Sequence, residues 1–311
     1  MMTNVSVISV IFLSGLNETK ALQKSTIFVF TLMCYCLIIL VNVFLILIII
    51  LDNTLHEPMY TLLCAFCMNG LYGTAGFYPK FLWDLLSPIN VISYSGCLFQ
   101  GHVFFSFGCC ELSMLALMAY DRYLAICQPL KYHTLMSKQR AIKLMCIFWL
   151  TPVCIVSVST FLTSRLKLCS SSINRLFCAN WSIVALACFP NETFINGVVV
   201  YFVLTVYVLH GVFIAWSYVY IVKRCAKSME NRAKFMQTCV PHLVSLMTFI
   251  ITTMIDVTFM RLVSQELPKN IQNFVTIEYL IFPPIINPLI YGFKLTKVRN
   301  RIFRLFASEN K

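Results

Sequence analysis

The sequence predicts an all-α membrane protein, a seven-transmembrane helix bundle followed by a short amphipathic C-terminal helix. Of the 311 residues, 59% are hydrophobic and 12% are charged, whereas soluble domains carry about 25% charged residues. Lipid must therefore surround most of the chain. A helix that crosses the hydrocarbon layer needs about 20 apolar residues, and apolar stretches of this kind occur at 26–51, 59–82, 98–119, 142–163, 195–222, 239–262 and 272–292.

The distribution of basic residues predicts the orientation of these spans. If the N-terminus lies outside, the cytoplasmic segments hold 16 of the 24 Lys and Arg residues, as the positive-inside rule requires. The N-x-S/T glycosylation acceptors Asn4, Asn17, Asn180 and Asn191 then all lie on outer segments. We expect an extracellular N-terminus over 1–25, the seven-transmembrane bundle over 26–292 and a cytoplasmic helix and tail over 293–311, in the plasma membrane.

Charge and the first residues exclude two other interpretations. The net charge of +12 follows from membrane topology, so we expect no nucleic-acid partner. Residues 5–13 are apolar but have no basic segment before them, so we expect no cleaved signal peptide. The first long helix then directs insertion.

The cysteines fall into two groups. Eleven of the fifteen lie in spans or on the inner side, where we expect them to stay reduced. The other four, Cys97, Cys169, Cys178 and Cys188, lie on the outer side, where two bridges can form in any of three pairings. The outer loop over 164–194 would act as a fixed lid on the bundle if one bridge tied it to span three.

Two polar motifs lie near the inner ends of spans three and seven. MAYDRYLAIC, 118–127, places Asp121 and Arg122 at a depth where they are either interfacial anchors or a working polar site. PPIINPLIYGFK, 283–294, contains three prolines that break the helix. We expect Asn287 to pair with the freed carbonyls and Tyr291 to turn toward the bundle axis. A broken helix beside a buried polar pair indicates a two-state element.

These motifs resemble a known family. LHEPMY (55–60), MAYDRYLAIC, PLKYH (129–133), SYVYI (217–221), KFMQTCVPHL (234–243) and PPIINPLIYG together resemble vertebrate olfactory (odorant) receptors, within the rhodopsin-like G-protein-coupled receptors. GLYGTAGFYPK (70–80) further resembles the branch common in fish. The resemblance implies a receptor, not an enzyme, that binds a small-molecule odorant and activates a stimulatory heterotrimeric G-protein in olfactory cilia, with no cofactor and no metal.

The resemblance also implies roles for particular residues. Arg122 is held by Asp121 at rest and turns toward the G-protein on activation, and the switch set is Asp121, Arg122, Tyr123, Tyr218, His242, Asn287, Pro288 and Tyr291. The implied disulfides are Cys97–Cys178 and Cys169–Cys188. Gly70, beside Asn69, stands where relatives carry an Asp, so a sodium site with Glu111 is incomplete. Glu111 is then either protonated or paired with Asn69.

A ligand pocket is expected in the outer half of the bundle between spans three, five, six and seven. Its candidate residues are Phe104, Phe105, Gly108, Cys109, Phe202, Val206, Tyr207, Thr253, Asp256, Val257, Arg261, Glu278 and Tyr279. Arg261 either extends to the outer headgroups or binds a ligand carboxylate. Asp256 could pair with a ligand amine, with His102 or with Arg261. If both charges face the pocket, the ligand is an acid or a zwitterion.

The tail after Lys294 has two faces. Leu295, Val298, Ile302 and Leu305 share one helical face, and Lys297, Arg301 and Arg304 lie opposite. This pattern indicates a helix on the anionic inner membrane surface, with a frayed basic tail as the alternative.

Other classes of protein fit the sequence less well. The sequence has no metal-ligand cluster, no nucleophile beside a base and no phosphate-binding glycine loop, which argues against an enzyme. A secondary transporter would show internal repeats, and none is present. A receptor for an endogenous peptide or amine is the third alternative, which the motifs of spans six and seven argue against.

Overall fold

The computed structural model describes residues 8–226, 229–257 and 268–308, with side chains described except at 229–238, 256–257, 269–270 and 305–308. Within this part the long helices are α1 (Ala21–Leu51), α2 (Pro58–Leu86), α3 (Tyr94–Cys127), α5 (Lys138–Ser164), α7 (Phe194–Cys225), α8 (Met229–Val257) and α9 (Lys269–Lys294). Two short helices, α4 (Tyr132–Leu135) and α6 (Asn180–Val184), lie in loops, and α10 (Thr296–Ser308) follows the bundle. The predicted all-α fold is confirmed.

The long helices form a bundle around α3. Five helices of the described part, α1, α3, α5, α7 and α9, are long and apolar enough to cross a membrane by length and hydropathy alone. Most of α3 is buried, whereas α5 and α7 expose most of their apolar surface, as lipid-facing helices do. Helix α3 runs to Cys127, about two turns beyond the apolar stretch, because main-chain hydrogen bonds continue where side chains become polar. Hydropathy therefore marks the spans better than their ends.

The outer side carries a small sheet. Strand β1 (Val10–Leu13) pairs antiparallel with β2 (Val91–Ser93) and parallel with β3 (Ser172–Ile173). The last four residues of the apolar stretch 5–13 form β1 and alternate in burial: Ile11 and Leu13 are buried, and Val10 and Phe12 are exposed. This period of two is the pattern of a half-buried strand. The N-terminal segment thus joins the lid, which the sequence analysis did not anticipate.

Two disulfides fasten the same side. Cys97 at the start of α3 is bonded to Cys178, with a Cα–Cα distance of 5.2 Å, and Cys169 to Cys188, at 4.9 Å. Of the three possible pairings, this is the one that the resemblance implied. The lid is therefore bonded covalently to the central helix.

Helix α10 packs against the inner end of the bundle. Leu295 and Val298 are buried there, and Ile302 packs against the same core, so the expected apolar face is present. Its basic face meets carboxylates from the loop between α1 and α2: Lys297 Nζ lies 2.5 Å from a Glu57 oxygen, and Arg301 Nε lies 3.0 Å from an Asp52 oxygen. Two of the three basic residues expected to face anionic lipid therefore have protein partners.

Candidate functional site

The inner end of α3 holds a buried ion pair. Asp121 is 1% exposed and Arg122 is 7% exposed, and Arg122 Nε donates to Asp121 Oδ2 at 2.9 Å. The other carboxylate oxygen, Oδ1, accepts from the Tyr132 hydroxyl at 2.8 Å. Burial raises the pKa of Tyr132, so its hydroxyl keeps the proton that it donates. The pair is buried and fully hydrogen-bonded on the Asp121 side, so Asp121 and Arg122 are not anchors exposed at the membrane surface.

Tyr218 of α7 and His242 of α8 form a hydrogen-bonded contact near this pair. His242 Nε2 lies 3.0 Å from the carbonyl oxygen of Leu115. A carbonyl only accepts, so Nε2 carries the proton and Nδ1 of the neutral ring accepts from the Tyr218 hydroxyl, 2.5 Å away. The tyrosine and imidazole rings are also parallel, with centroids 5.6 Å apart. His242 thereby links three helices by uncharged hydrogen bonds.

A small cavity separates the ion pair from α9. The cavity is lined by Arg122, Asp121, His242 and Tyr291, together with apolar residues of α2 and α3 and Leu295 at the end of α9. The hydroxyls of Tyr291 and Ser245 are both buried and lie close to each other. The cavity has a volume of about 10 Å³, the space of roughly one water molecule. The guanidinium can therefore reach Tyr291 only if the surrounding helices move.

Tyr123 does not join this group. Its ring lies 5.3 Å from Trp216 and 6.4 Å from Tyr220 on α7, and its hydroxyl accepts from Gln128 at 3.5 Å. The helical step of about 100° per residue turns it away from Arg122. The family motif assigned Tyr123 to the switch set, but within the described residues it makes no hydrogen bond or ring contact with the other members.

Glu111 lies at the middle of α3, and two amides hold it. Asn69 Nδ2 donates to its Oε2 at 2.9 Å, and Asn287 Nδ2 donates to its Oε1 at 3.0 Å. Asn69 Oδ1 in turn accepts from the indole of Trp149 at 3.3 Å. Of the two alternatives for Glu111, the pairing with Asn69 is present, and Asn287 is a second donor that the sequence did not predict.

The expected role of Asn287 was wrong. Pro284 and Pro288 have no N–H, so the carbonyls four residues earlier, on Leu280 and Pro284, lose their helical donors. Side chains of other helices replace them: the Tyr78 hydroxyl donates to Leu280 O at 3.4 Å, and Asn42 Nδ2 donates to Pro284 O at 2.8 Å. Asn287 faces Glu111 instead. The four-residue spacing of helical hydrogen bonds predicts which carbonyls lose their donors. It does not predict which side chains replace those donors.

The outer-half candidates fall into two groups. Phe104, Gly108 and Tyr279 come together under the lid, where Phe177 lies 4.4 Å from the Phe104 ring. A side-chain carbon at Gly108 would come within 2.6 Å of the Tyr279 hydroxyl, so α3 and α9 approach closely there.

The second group lies between α3, α5 and α7. Phe105, Cys109 and Tyr207 pack with Val156 and Val203. Val206 is half-buried on the same helix. Phe202 is 58% exposed and points out of the bundle, because its neighbour Val203 takes the inward position. The inclusion of Phe202 among the pocket residues was wrong.

The structure describes the side chains of only some of the polar candidates on α8 and α9. Thr253 Oγ1 and Glu278 Oε2 are buried without a hydrogen bond within the described residues. The main chain of Asp256 and Val257 lies in α8, but their side chains are outside the description, as is all of Arg261. His102, one partner considered for Asp256, has its Nδ1 3.3 Å from the Thr160 hydroxyl.

The glycosylation acceptors also differ. Asn17 and Asn191 are exposed, whereas Asn4 lies outside the described residues. Asn180 faces the bundle: its Nδ2 donates to Ser159 at 3.3 Å and its Oδ1 accepts from Thr163 at 2.8 Å. A glycan is attached through that amide nitrogen, so the structure argues against Asn180 as an acceptor.

The described part of the chain contains no group of three or more potential metal ligands. Asp121 and Arg122, two of its buried charged residues, instead form a hydrogen-bonded pair at one end of the membrane bundle, beside a small cavity. A buried, paired charge at this depth marks a polar site within a membrane bundle.

Comparison with known proteins gives the family. The olfactory receptor family model matches residues 30–309. Human olfactory receptor 11H6 is 32% identical, with 96% of this chain and 91% of the relative covered. Mouse olfactory receptor 5AR1 is 32% identical with 98% of each covered, and human olfactory receptor 52D1 is 32% identical with 94% and 93% covered. The chain belongs to the olfactory receptor family, as the motifs predicted.

Proposed function

We propose that this receptor binds a small odorant in the outer half of the bundle and activates a stimulatory G-protein, which raises cyclic AMP. The N-terminus is extracellular in the plasma membrane, with the receptor in the cilia of olfactory sensory neurons. The two-thirds share of Lys and Arg on inner segments supports this orientation. The disulfide-fastened lid then lies outside, above the ligand, and Arg122 faces the cytoplasm.

The contact between lid and bundle supports the position of the odorant site. Phe177 of the lid precedes Cys178, which is bonded to Cys97 at the start of α3. The Phe177 ring packs on Phe104. Phe104 in turn lies 5.4 Å from Tyr279. An odorant packed beside these rings would contact α3, α9 and the lid together, so its binding energy can favour one arrangement of the three.

Thr253 Oγ1 and Glu278 Oε2, which have no hydrogen-bond partner among the described residues, indicate what the ligand could contain. Buried oxygens without partners are costly, and a ligand N–H or O–H would satisfy them. Arg261 remains the proposed partner of a ligand carboxylate. A ligand that satisfies both ends is a zwitterion or an acid with a second polar group, rather than a hydrocarbon.

The space beside Arg122 carries the proposed switch. At rest Asp121, which itself accepts a hydrogen bond from Tyr132, holds the guanidinium from one side, and on activation the guanidinium turns across the cavity toward Tyr291 and Tyr218. Movement of α8 at its inner end breaks the His242 link to Leu115 and opens a cleft for the G-protein. Odorant binding favours this state by population shift.

A cyclic AMP assay in transfected cells tests the proposal. Panels of acids, amino acids, amines and neutral odorants are applied to wild type, to Arg122→Ala and to Arg261→Ala. We expect Arg122→Ala to remove every response and Arg261→Ala to remove responses to acids alone, at equal surface expression. Acid responses that survive Arg261→Ala would contradict the proposed carboxylate site, and responses that survive Arg122→Ala would contradict the switch.

A further inference from the structure

An open cleft lies between the inner ends of α3 and α7, on the side of these helices that faces away from the bundle axis. Its volume is about 280 Å³, and its lining consists of Tyr123, Cys127, Gln128, Tyr220, Lys223 and Arg224. It shares no lining residue with the cavity beside Arg122. The proposed switch therefore leaves this cleft and its charges unused.

The cleft is cationic. Lys223 and Arg224 are exposed in the last turn of α7, and neither forms an ion pair with any residue in the described ranges. The Lys223 ammonium lies 5.9 Å from the centre of the Tyr220 ring. Among the residues whose side chains the structure describes, no acidic one lines the cleft, so the electrostatic complement of this lining is an anion.

The cleft also offers a directed hydrogen-bond donor. The Tyr123 hydroxyl accepts from Gln128 Nε2 at 3.5 Å, which leaves its own O–H free to donate. An Arg fork, a Lys ammonium and a phenol suit the several oxygens of a phosphate group. Tyr123, which makes no hydrogen bond with the switch residues in the described part of the chain, can therefore bind an anion in this cleft.

Aromatic side chains indicate the depth of the cleft. Trp216 and Tyr220 are 44% and 47% exposed and lie 4.9 Å apart, and Trp216 lies 5.3 Å from Tyr123. Half-exposed Trp and Tyr at the end of a span are typical of the headgroup level of a membrane. The cations just beyond them then lie at the level of lipid phosphates.

We propose that this cleft binds the phosphorylated headgroup of an anionic phospholipid from the inner leaflet. Lys223 and Arg224 bind the phosphates, Tyr123 donates to one of them, and the acyl chains lie along Trp216 and Tyr220. The proposal rests on the proposed cytoplasmic position of this end. The bound lipid holds α3 and α7 together, the two helices that His242 of α8 contacts, so it stabilises the surface from which α8 moves when the G-protein cleft opens.

Binding to the purified full-length receptor in neutral detergent tests the site without odorant or G-protein. The probe is a fluorescent short-chain phosphatidylinositol bisphosphate, with the matching phosphatidylcholine as the uncharged probe and soluble inositol trisphosphate as the headgroup without tails. Each basic residue near an anionic lipid changes affinity by roughly fivefold. Lys223→Gln with Arg224→Gln should therefore lower affinity for the bisphosphate lipid by roughly twentyfold or more.

Two further double variants serve as controls. Lys138→Gln with Arg140→Gln removes two exposed cations from the start of α5 and should change affinity less than about twofold, since these lie outside the cleft. Lys223→Arg with Arg224→Lys keeps both charges and should bind nearly as wild type. If the first double variant is not monodisperse, Arg224→Gln alone should still lower affinity by roughly fivefold.

Equal affinity of wild type and the Lys223 and Arg224 variants would overturn the proposal, as would an equal loss in the α5 control, which would indicate non-specific attraction. Inositol trisphosphate that competes as well as the lipid would overturn a lipid as the occupant. Because lipid binding is measured alone, its failure leaves the odorant proposal intact, and the reverse also holds.

Discussion

The side-chain amide of Asn42 on α1 donates to the carbonyl oxygen of Pro284 on α9, at 2.8 Å. Pro288 cannot donate to this carbonyl, and no water is present in the hydrocarbon layer to replace it. Asn42 also donates to Ile38 O at 2.9 Å and is 1% exposed. A break in the seventh span is thus stabilised by the first span, 242 residues away in sequence.

Asn42→Ala should destabilise the receptor by about 1 to 2 kcal/mol, because the Pro284 carbonyl loses its donor and stays buried. Thermal unfolding of purified protein in detergent measures the loss. Asn53→Ala, at an exposed asparagine, is the matched control and should leave the midpoint unchanged. Equal midpoints for Asn42→Ala and wild type would show that the Pro284 carbonyl finds another donor.

Tyr132→Phe should raise the basal cyclic AMP signal. The variant keeps the ring but removes the hydrogen bond to Asp121 Oδ1. The carboxylate that holds Arg122 then has one hydrogen bond fewer to keep it in place. A loss of about 1 kcal/mol from the resting state shifts its ratio to the active state roughly fivefold. Tyr201→Phe, at a tyrosine 73% exposed on α7, should not change the signal. A basal signal at the wild-type level in Tyr132→Phe would contradict a restraining role.

Removal of the two disulfides should have unequal effects. Cys97 and Cys178 are 81 residues apart, and Cys169 and Cys188 are 19 apart. The loop-entropy relation predicts that loss of the longer cross-link costs about 1 kcal/mol more. Cell-surface amounts of Cys97→Ser with Cys178→Ser and of Cys169→Ser with Cys188→Ser compare them. Lower surface amounts for the shorter loop would indicate that lid packing, not chain entropy, decides.

Asn17 and Asn191 should carry glycans, and Asn180 should not. Gel mobility before and after treatment with an amidase that removes N-glycans, for Asn17→Gln, Asn191→Gln and Asn180→Gln, distinguishes the three sites. Asn180→Gln should migrate as wild type but unfold at a lower temperature, because its hydrogen bonds to Ser159 and Thr163 are lost. A mobility shift on Asn180→Gln would mean that this side chain faces outward in the mature receptor.

The sequence by itself determined the features that depend on neighbouring residues. Hydropathy within about 20 residues predicts each span, the period of 3.6 predicts the apolar face of Leu295 and Val298, and adjacency places Asp121 beside Arg122. The family motifs added the disulfide pairing and the receptor class. None of these inferences requires knowing which residues, distant in sequence, lie close together in the folded protein.

The tertiary structure decided which partners meet. Asn42 rather than Asn287 reaches the Pro284 carbonyl, Asn287 reaches Glu111 across 176 residues, and Val203 rather than Phe202 faces inward. A buried polar group pairs with the donor or acceptor that the packed helices bring within about 3 Å. That distance depends on helix rotation and crossing, to which many distant side chains contribute, so no local pattern encodes it.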